Sequence, residues 1–318
     1  MDLMTPIKLL LPALLLCTLP VASQAQNEGL LPTQTLVRAE SKMNVIPDAT
    51  AITLQLDGKS AHLSSLTAVQ PSGVQIALLI DDGLSRSAGV QLDDLRDFAR
   101  NLPPGTELLV GYMTNGHIQV EQPFTTDHAG ALEKIRLPMG MPGQSASPYF
   151  CLSDFVKRWP GATEGDASRN KARFVMMITN GVDPYNGSTS VMNQDSPYVQ
   201  TAIIDAQRAG VSVSSIYYRD AGYRGNSASF SGQSYLKQLA DATGGDSYYE
   251  GTGSPVSLKP YLKEFQHGIS ETYVATFQAP AGGGGRQRLI RLKMNTSTPK
   301  LKLHHPEEVR PGNIEASQ

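Results

Sequence analysis

Cysteine is close to absent: there are two in 318 residues, Cys17 and Cys151. Cys17 lies in a stretch that reads as a removable leader, so the remainder cannot close an intramolecular disulfide. Cys151, set in an apolar helical stretch, reads as a small buried hydrophobe rather than a reactive thiol. Neither sign of charge dominates, with 27 Lys and Arg against 29 Asp and Glu for a net charge of −2. Loss of Asp2 and Lys8 together leaves that balance unchanged, and it excludes a global attraction to nucleic acid or to an anionic membrane. Long hydrophobic runs are missing as well. Leu9–Val21 is apolar but broken by Pro12 and Pro20, too short to span a bilayer, and no later segment is apolar enough to cross one. Hydrolase signatures are absent: there is no Gly-x-Ser-x-Gly elbow and no His-Glu-x-x-His. The run Gly282–Gly285 lacks the lysine and hydroxyl of a phosphate loop. The six histidines are scattered. Only His304 and His305 adjoin, and with Glu307 and Glu308 they read as a solvated strand end. The single tryptophan, Trp159, reads as packing near a helix end.

What is present divides the chain into four parts. Residues 1–25 carry the marks of a secretory signal: Lys8 as the charged start, Leu9–Val21 as the apolar core and Ser23–Ala25 as a small-x-small cleavage site. About 290 residues remain, enough for one sizeable domain and a small second module. Residues 26–70 are expected to form an extended segment, without steady periodicity as far as Asp48, followed by β strands. Ile52, Leu54 and Leu56 alternate with Thr53, Gln55 and Asp57, and Asp57-Gly58 turns the chain into a partner strand over Ala61–Val69.

From residue 71 to 280 the pattern changes. Apolar strands at Val74–Ile80, Glu107–Met113, Arg173–Thr179 and Val211–Tyr218 alternate with amphipathic helices. The helices are expected at Gln91–Asn101, Asp127–Ile135, Pro148–Trp159, Tyr198–Ala209, Ser234–Thr243 and Ser254–His267, with His117–Phe124 as an antiparallel edge strand. A further strand is expected over Ser270–Gln278. This alternation implies an α/β fold, a doubly wound, mostly parallel sheet with helices on both faces in the Rossmann manner. Residues 281–318 hold short strands and a tail, expected to pair with 51–69, so that the α/β unit interrupts a small β module.

The chemistry-bearing residues gather at the carboxyl ends of the predicted strands. Asp81, Asp82, Gly83 and Ser85 follow the first, Ser145 and Ser147 precede a helix midway, and Asn180, Gly181 and Asp183 follow Arg173–Thr179. That is where a ligand or a hard metal ion meets an open α/β sheet. Each residue also suits a plainer role. Asp81 can accept backbone N–H groups at the strand end, Ser85 or Ser87 can cap a helix, and Asn180-Gly181 is a common turn pair. What joins them is one shared end of the sheet.

In these residues the chain resembles a von Willebrand factor A domain, the doubly wound fold of integrin inserted domains and many bacterial extracellular proteins. The family carries Asp-x-Ser-x-Ser after its first strand, a Thr or Ser in a middle loop and Thr-Asp-Gly after a later strand, together a metal-ion-dependent adhesion site. Asp81 falls on the aspartate of the first motif and Ser85 on its second serine, with Gly83 in place of the first. Ser147 falls on the middle-loop hydroxyl, and Asn180 stands where the family has aspartate. The resemblance covers about Val74–Pro280, including a Thr243-Gly244-Gly245 turn before an aromatic strand.

The resemblance implies a metal set of Asp81, Ser85, Ser147, Asn180 and Asp183, with Asp82 as a further carboxylate. The implied ion is Mg²⁺, or Mn²⁺ or Ca²⁺, held weakly because one hydroxyl and one charge are missing. It also implies a binding protein rather than an enzyme, and the leader implies export to the periplasm or secretion. Such a protein meets another protein at the cell envelope, through an acidic side chain of that partner. Two other readings stand beside this one: a structural envelope protein whose site is inert, and a metal-assisted hydrolase. For the latter the sequence offers no histidine near the loops to act as base.

Overall fold

The structure, a computed structural model, describes residues 29–43, 45–141, 145–161, 171–183, 197–219, 225–249, 251, 253–281 and 288–313. The leader expected over 1–25 and the Gly282–Gly285 run lie outside the described residues. No helix among the described residues is long and apolar enough to cross a membrane.

Four strands come first: β1 (Leu30–Glu40), β2 (Ile52–Leu56), β3 (Lys59–Ala61) and β4 (Leu63–Ala68). The α/β unit follows, with β5 (Val74–Asp81), α1 (Leu92–Arg100), β6 (Glu107–Thr114), β7 (His117–Thr125), α2 (His128–Leu132) and α3 (Pro148–Lys157). It continues through β8 (Ala172–Thr179), α4 (Pro197–Ala209), β9 (Val211–Tyr217), α5 (Gly225–Thr243) and α6 (Lys259–Ser270). The chain ends in β10 (Thr272–Pro280), β11 (Ile290–Thr296), β12 (Lys302–His304) and β13 (Glu308–Val309).

β5 is apolar without alternation because it is buried on both faces. Ile76, Leu78 and Ile80 pack with Leu95, Phe98, Leu262 and Phe265, while Ala77 and Leu79 pack with Leu152, Phe155, Ile203 and Leu239. Each such side chain contributes at most about 1.5–3 kcal/mol of transfer free energy, and β8 repeats the pattern with Phe174, Met176 and Ile178 against Val175 and Met177. The sheet order is β7-β6-β5-β8-β9, parallel except for the edge strand β7. α1, α2 and α6 cover one face and α3, α4 and α5 the other. This is the doubly wound α/β class that the alternation implied.

The remaining strands build a sandwich of two sheets, β12-β1-β10-β4 and β13-β11-β2-β3. Its separate core holds Val37, Leu54, Leu56, Phe277 and Leu292. β11 lies antiparallel to β2, with Leu292 opposite Leu56 and Met294 opposite Leu54. The α/β unit leaves the sandwich after β4 and re-enters it at β10, and these two strands are neighbours. Val69 N donates to Thr272 O at 3.0 Å where entry and exit pass each other. Arg38 of β1 forms a two-pronged ion pair with Asp246, a residue of the α/β unit.

Several elements differ from their sequence expectation, each for a physical reason. β1 occupies part of the segment read as merely extended. Its inward residues are Thr33, Thr35, Val37 and Ala39, and two short hydroxyl residues in that row erase the hydrophobic alternation. The segment Ala61–Val69 is two strands, since β3 pairs with β2 in one sheet and β4 with β10 in the other. β10, expected at the end of the α/β unit, belongs to the sandwich between β1 and β4.

α6 begins at Lys259 rather than Ser254. Its first N–H groups are capped from α1: Asp94 Oδ2 accepts from Leu258 N at 2.9 Å and Lys259 N at 3.2 Å, a partner that no local pattern announces. α5 begins at Gly225, inside a Gly- and Ser-rich stretch read as a loop, for a reason that bears on the site. His304 is no solvated strand end, because its Nε2 meets Glu40 Oε2 at 2.7 Å and its side chain is 17% exposed.

Candidate functional site

β5 and β8 lie side by side, and the helices that follow them, α1 and α4, go to opposite faces of the sheet. The crevice beyond their carboxyl ends is therefore a topological switch point, the place where open α/β sheets bind ligands. Asp81 ends β5 and Thr179 ends β8, and both are buried.

The Asp81 carboxylate joins the two strand ends. Its Oδ1 accepts from Gly83 N at 2.9 Å and its Oδ2 from Thr179 Oγ1 at 2.7 Å. Thr179 Oγ1 in turn accepts from Gly181 N at 3.2 Å. Folding back on Gly83 gives the chain an Asx-type turn. Ser85, four residues on, pairs its hydroxyl with that of Ser87 at the more exposed margin. Ser85 stands at the start of the 3₁₀ turn Arg86–Gln91 without a side-chain cap bond.

Asp82 is buried too, and its charge is met by a cation. Arg136 Nη1 and Nη2 donate to its two oxygens at 2.7 and 3.1 Å, and Met139 N donates to Oδ1 at 3.0 Å. The Arg136 guanidinium also lies 3.8 Å from the centre of the Tyr112 ring. Burial pushes the Tyr112 hydroxyl up to about 12, so this ring stays neutral beneath the cation. Asp82 thus fixes the loop from Arg136 to Met141 rather than facing the crevice as a spare carboxylate.

The third wall is the first turn of α3. Ser147 caps it, its Oγ accepting from Phe150 N at 3.4 Å with Pro148 opening the helix. Ser147→Ala is expected to lower stability by about 1 kcal/mol through loss of that cap, read as a fall in urea midpoint without a change of slope. Tyr149 OH donates to Gly181 O at 2.8 Å and so ties α3 to the β8 loop. Burial holds this phenol well above its ordinary value and the Asp183 carboxylate adds to the shift, so it remains a donor. Cys151 Sγ–H donates to Ser145 O at 3.1 Å. Burial pushes that thiol up, and the charge of Asp81 adds. The thiol is therefore inert.

Of the predicted set, the structure brings Asp81 and the Thr179–Gly181 turn into direct contact and places Ser147 in the helical turn bonded to that same loop. Asn180 closes its own turn, with Oδ1 accepting from Val182 N at 2.9 Å. Asp183 is buried beside Tyr149. Thr179 was missed by the sequence reading, although Thr179-Asn180-Gly181 follows the family's Thr-Asp-Gly and the threonine was there to be read. His117, also unforeseen, follows the β6–β7 turn, whose Gly116 N donates to Ser145 O at 3.1 Å. Its ring is exposed, with Nδ1 at 3.4 Å from Asn115 O.

Among the described residues no three His, Cys, Asp or Glu side chains gather as metal ligands. The donors that do gather are carboxylate and hydroxyl oxygens. They suit a hard divalent ion in kind, with a low count of negative charge.

No protein-family model and no curated protein matches the sequence. Solved structures with a similar fold include proximal thread matrix protein 1 from the mussel byssus with a zinc-occupied metal-ion-dependent adhesion motif. It is 17% identical, with a TM-score of 0.45 over 64% of this chain and 49% of that one. The chain thus spans about half the length of the mussel protein it matches. The SpRpn10 von Willebrand factor A domain is 12% identical, with a TM-score of 0.40 over 60% of this chain and 94% of that domain. Manganese-loaded TRAP protein of Plasmodium vivax is 12% identical, with a TM-score of 0.44 over 77% of this chain and 98% of that one. Likenesses at this level carry nothing about activity or partner.

Proposed function

We propose that this chain is a binding protein of the von Willebrand factor A type, exported to the cell envelope. In this reading its switch-point crevice, walled by the ends of β5 and β8 and the first turn of α3, takes up a partner protein with the help of a weakly held divalent cation. The observation that carries this reading is the Asp81–Thr179 bond at 2.7 Å. It places a buried carboxylate and two strand-end loops at the position where the topology of an open α/β sheet puts its ligand.

Asp81, Thr179, Ser147 and Asp183 are the residues that would hold the ion, Mg²⁺ or Mn²⁺ by the hardness of their oxygens. Ser85 and Asn180, engaged by Ser87 and Val182 N, would serve the shape of the loops. A bound ion would supply positive charge at the rim for an acidic group of the partner. Binding rather than catalysis is favoured because the only described thiol is buried and inert.

The test uses Asp81→Asn, which keeps the shape. In the parent, Mn²⁺ at ten times its dissociation constant is expected to raise Tm by about 2–4 °C. Asp81→Asn should abolish the rise, and capture of an envelope protein should be sensitive to chelator in the parent alone. A parent that melts at the same temperature with and without Mg²⁺, Mn²⁺ and Ca²⁺ favours the inert structural protein instead.

A further inference from the structure

Seven of the ten methionines lie among the described residues, and they fall into two groups. Met113, Met176, Met177 and Met294 are buried, while Met43, Met139 and Met141 are 60%, 48% and 54% exposed. Met139 and Met141 flank Gly140 in the loop that Asp82 anchors, through Met139 N to Oδ1 at 3.0 Å and Gly140 N to Asp82 O at 3.2 Å. Their thioethers therefore stand in a loop fixed to the residue next to Asp81.

The surface around them is apolar. Among the described residues, six of the ten exposed large hydrophobic side chains lie at this pole: Val90, Leu137, Met139, Met141, Phe150 and Val256. Contacts tie Leu137, Val90 and Val256 to one short segment, while Phe150 stands beside the β6–β7 turn. Leu137 reaches the backbone at Gly89, Gln91 Nε2 donates to Val256 O at 3.1 Å, and Phe150 lies against Gly116. A concentration of this kind marks a surface built to be covered.

We propose that Met139 and Met141 form a reversible oxidation site that switches this rim between an apolar and a polar state. The co-reactant is a peroxide. A sulfur lone pair attacks one oxygen of hydrogen peroxide, the O–O bond breaks as the S–O bond forms, and the departing oxygen takes up a proton and leaves as water. The thioether loses two electrons and the peroxide gains them. A thiol-driven sulfoxide reductase runs the change backwards. The sulfoxide oxygen is a strong acceptor, and covering it with an apolar partner leaves it without a hydrogen bond, a cost that the thioether does not carry. The chemical site stands on exposure and position alone. Its effect on partner capture rests on the proposed function.

The experiment treats the full chain with dilute hydrogen peroxide and follows it by peptide mass mapping and by fluorescence of the apolar dye bis-ANS. Parent, Met139→Leu/Met141→Leu and Met43→Leu are compared. Met139 and Met141 should each gain one oxygen about tenfold or more faster than Met113, Met176 and Met177. Dye fluorescence should fall by roughly half and recover on treatment with methionine sulfoxide reductase and dithiothreitol. The double leucine variant should show no fall in dye signal, and Met43→Leu should behave as the parent. Oxidation of Met113 or Met176 at the rate of Met139, or undiminished dye fluorescence with both sulfoxides formed, overturns the proposal. If these results hold while Asp81→Asn matches the parent in its cation response, the proposed function fails and the oxidation site stands.

Discussion

Replacing Arg136 by methionine is expected to lower the stability of the α/β unit by about 3–5 kcal/mol. The Asp82 side chain is fully buried. Both its oxygens accept from the Arg136 guanidinium, and among the described residues Met139 N is the one further donor to them. Methionine keeps the unbranched stem over Tyr112 but leaves the carboxylate without its cation, and an unpaired buried charge costs far more than an intact pair contributes. Glu121, at 3.3 Å from Arg136 Nε, loses a partner too but stays partly exposed and matters little. Urea unfolding should show the fall. Adding Asp82→Asn to Arg136→Met should restore a good part of it, because the neutral amide removes the stranded charge. If the double variant is no more stable than Arg136→Met alone, the loss lies in packing over Tyr112 and not in the ion pair.

Gly232→Ala is the second large effect, about 3 kcal/mol, at the upper end of what overpacking costs. A Cβ at Gly232 would stand 2.2 Å from Asn180 O and 3.0 Å from Gly181 C, and one at Gly181 would stand 2.5 Å from Gly232 O. Backbone meets backbone here, so no side-chain rotation relieves the clash. α5 must back away or the Asn180–Gly181 turn must move, and the turn is bonded through Thr179 to Asp81. The variant is therefore expected to weaken the cation response together with stability. Gly73→Ala, where a Cβ meets nothing within 4 Å, serves as the control and should change stability by less than about 0.5 kcal/mol. A Gly232→Ala protein as stable as that control would show that α5 does not press on the turn.

The same contact explains what the sequence hid at α5. Gly232 sits in a helix because only a residue without a side chain lets α5 lie on the Asn180–Gly181 turn. By its sequence alone this Gly- and Ser-rich stretch has the character of a loop. Where burial is strong and regular, as over Val74–Asp81 and Ala172–Thr179, the pattern of apolar residues was enough to place the strand, its parallel partners and the rim at its end. Where structure depends on a distant partner, local pattern was silent. The cap of α6 comes from Asp94, the inward row of β1 includes two threonines, and β10 belongs to a sheet begun far earlier in the chain, at Leu30.

The placement of Asp81 at a strand end and of Ser147 just before a helix was legible, because the apolar run and the Pro148 start announce both. The role of Asp82 was not, since nothing in the sequence announces that Arg136 will fold back onto it.

The way the α/β unit is inserted has a mechanical consequence. Its two connections enter neighbouring antiparallel strands, with Ala68 of β4 opposite Tyr273 of β10. A tug on the rim therefore reaches the sandwich through two covalent attachment points about one strand spacing apart, roughly 4.8 Å, beside the Arg38–Asp246 ion pair. Pulled together, those points share the tension along one sheet. Pulled apart, they part the β4–β10 ladder one hydrogen bond at a time, like a zip.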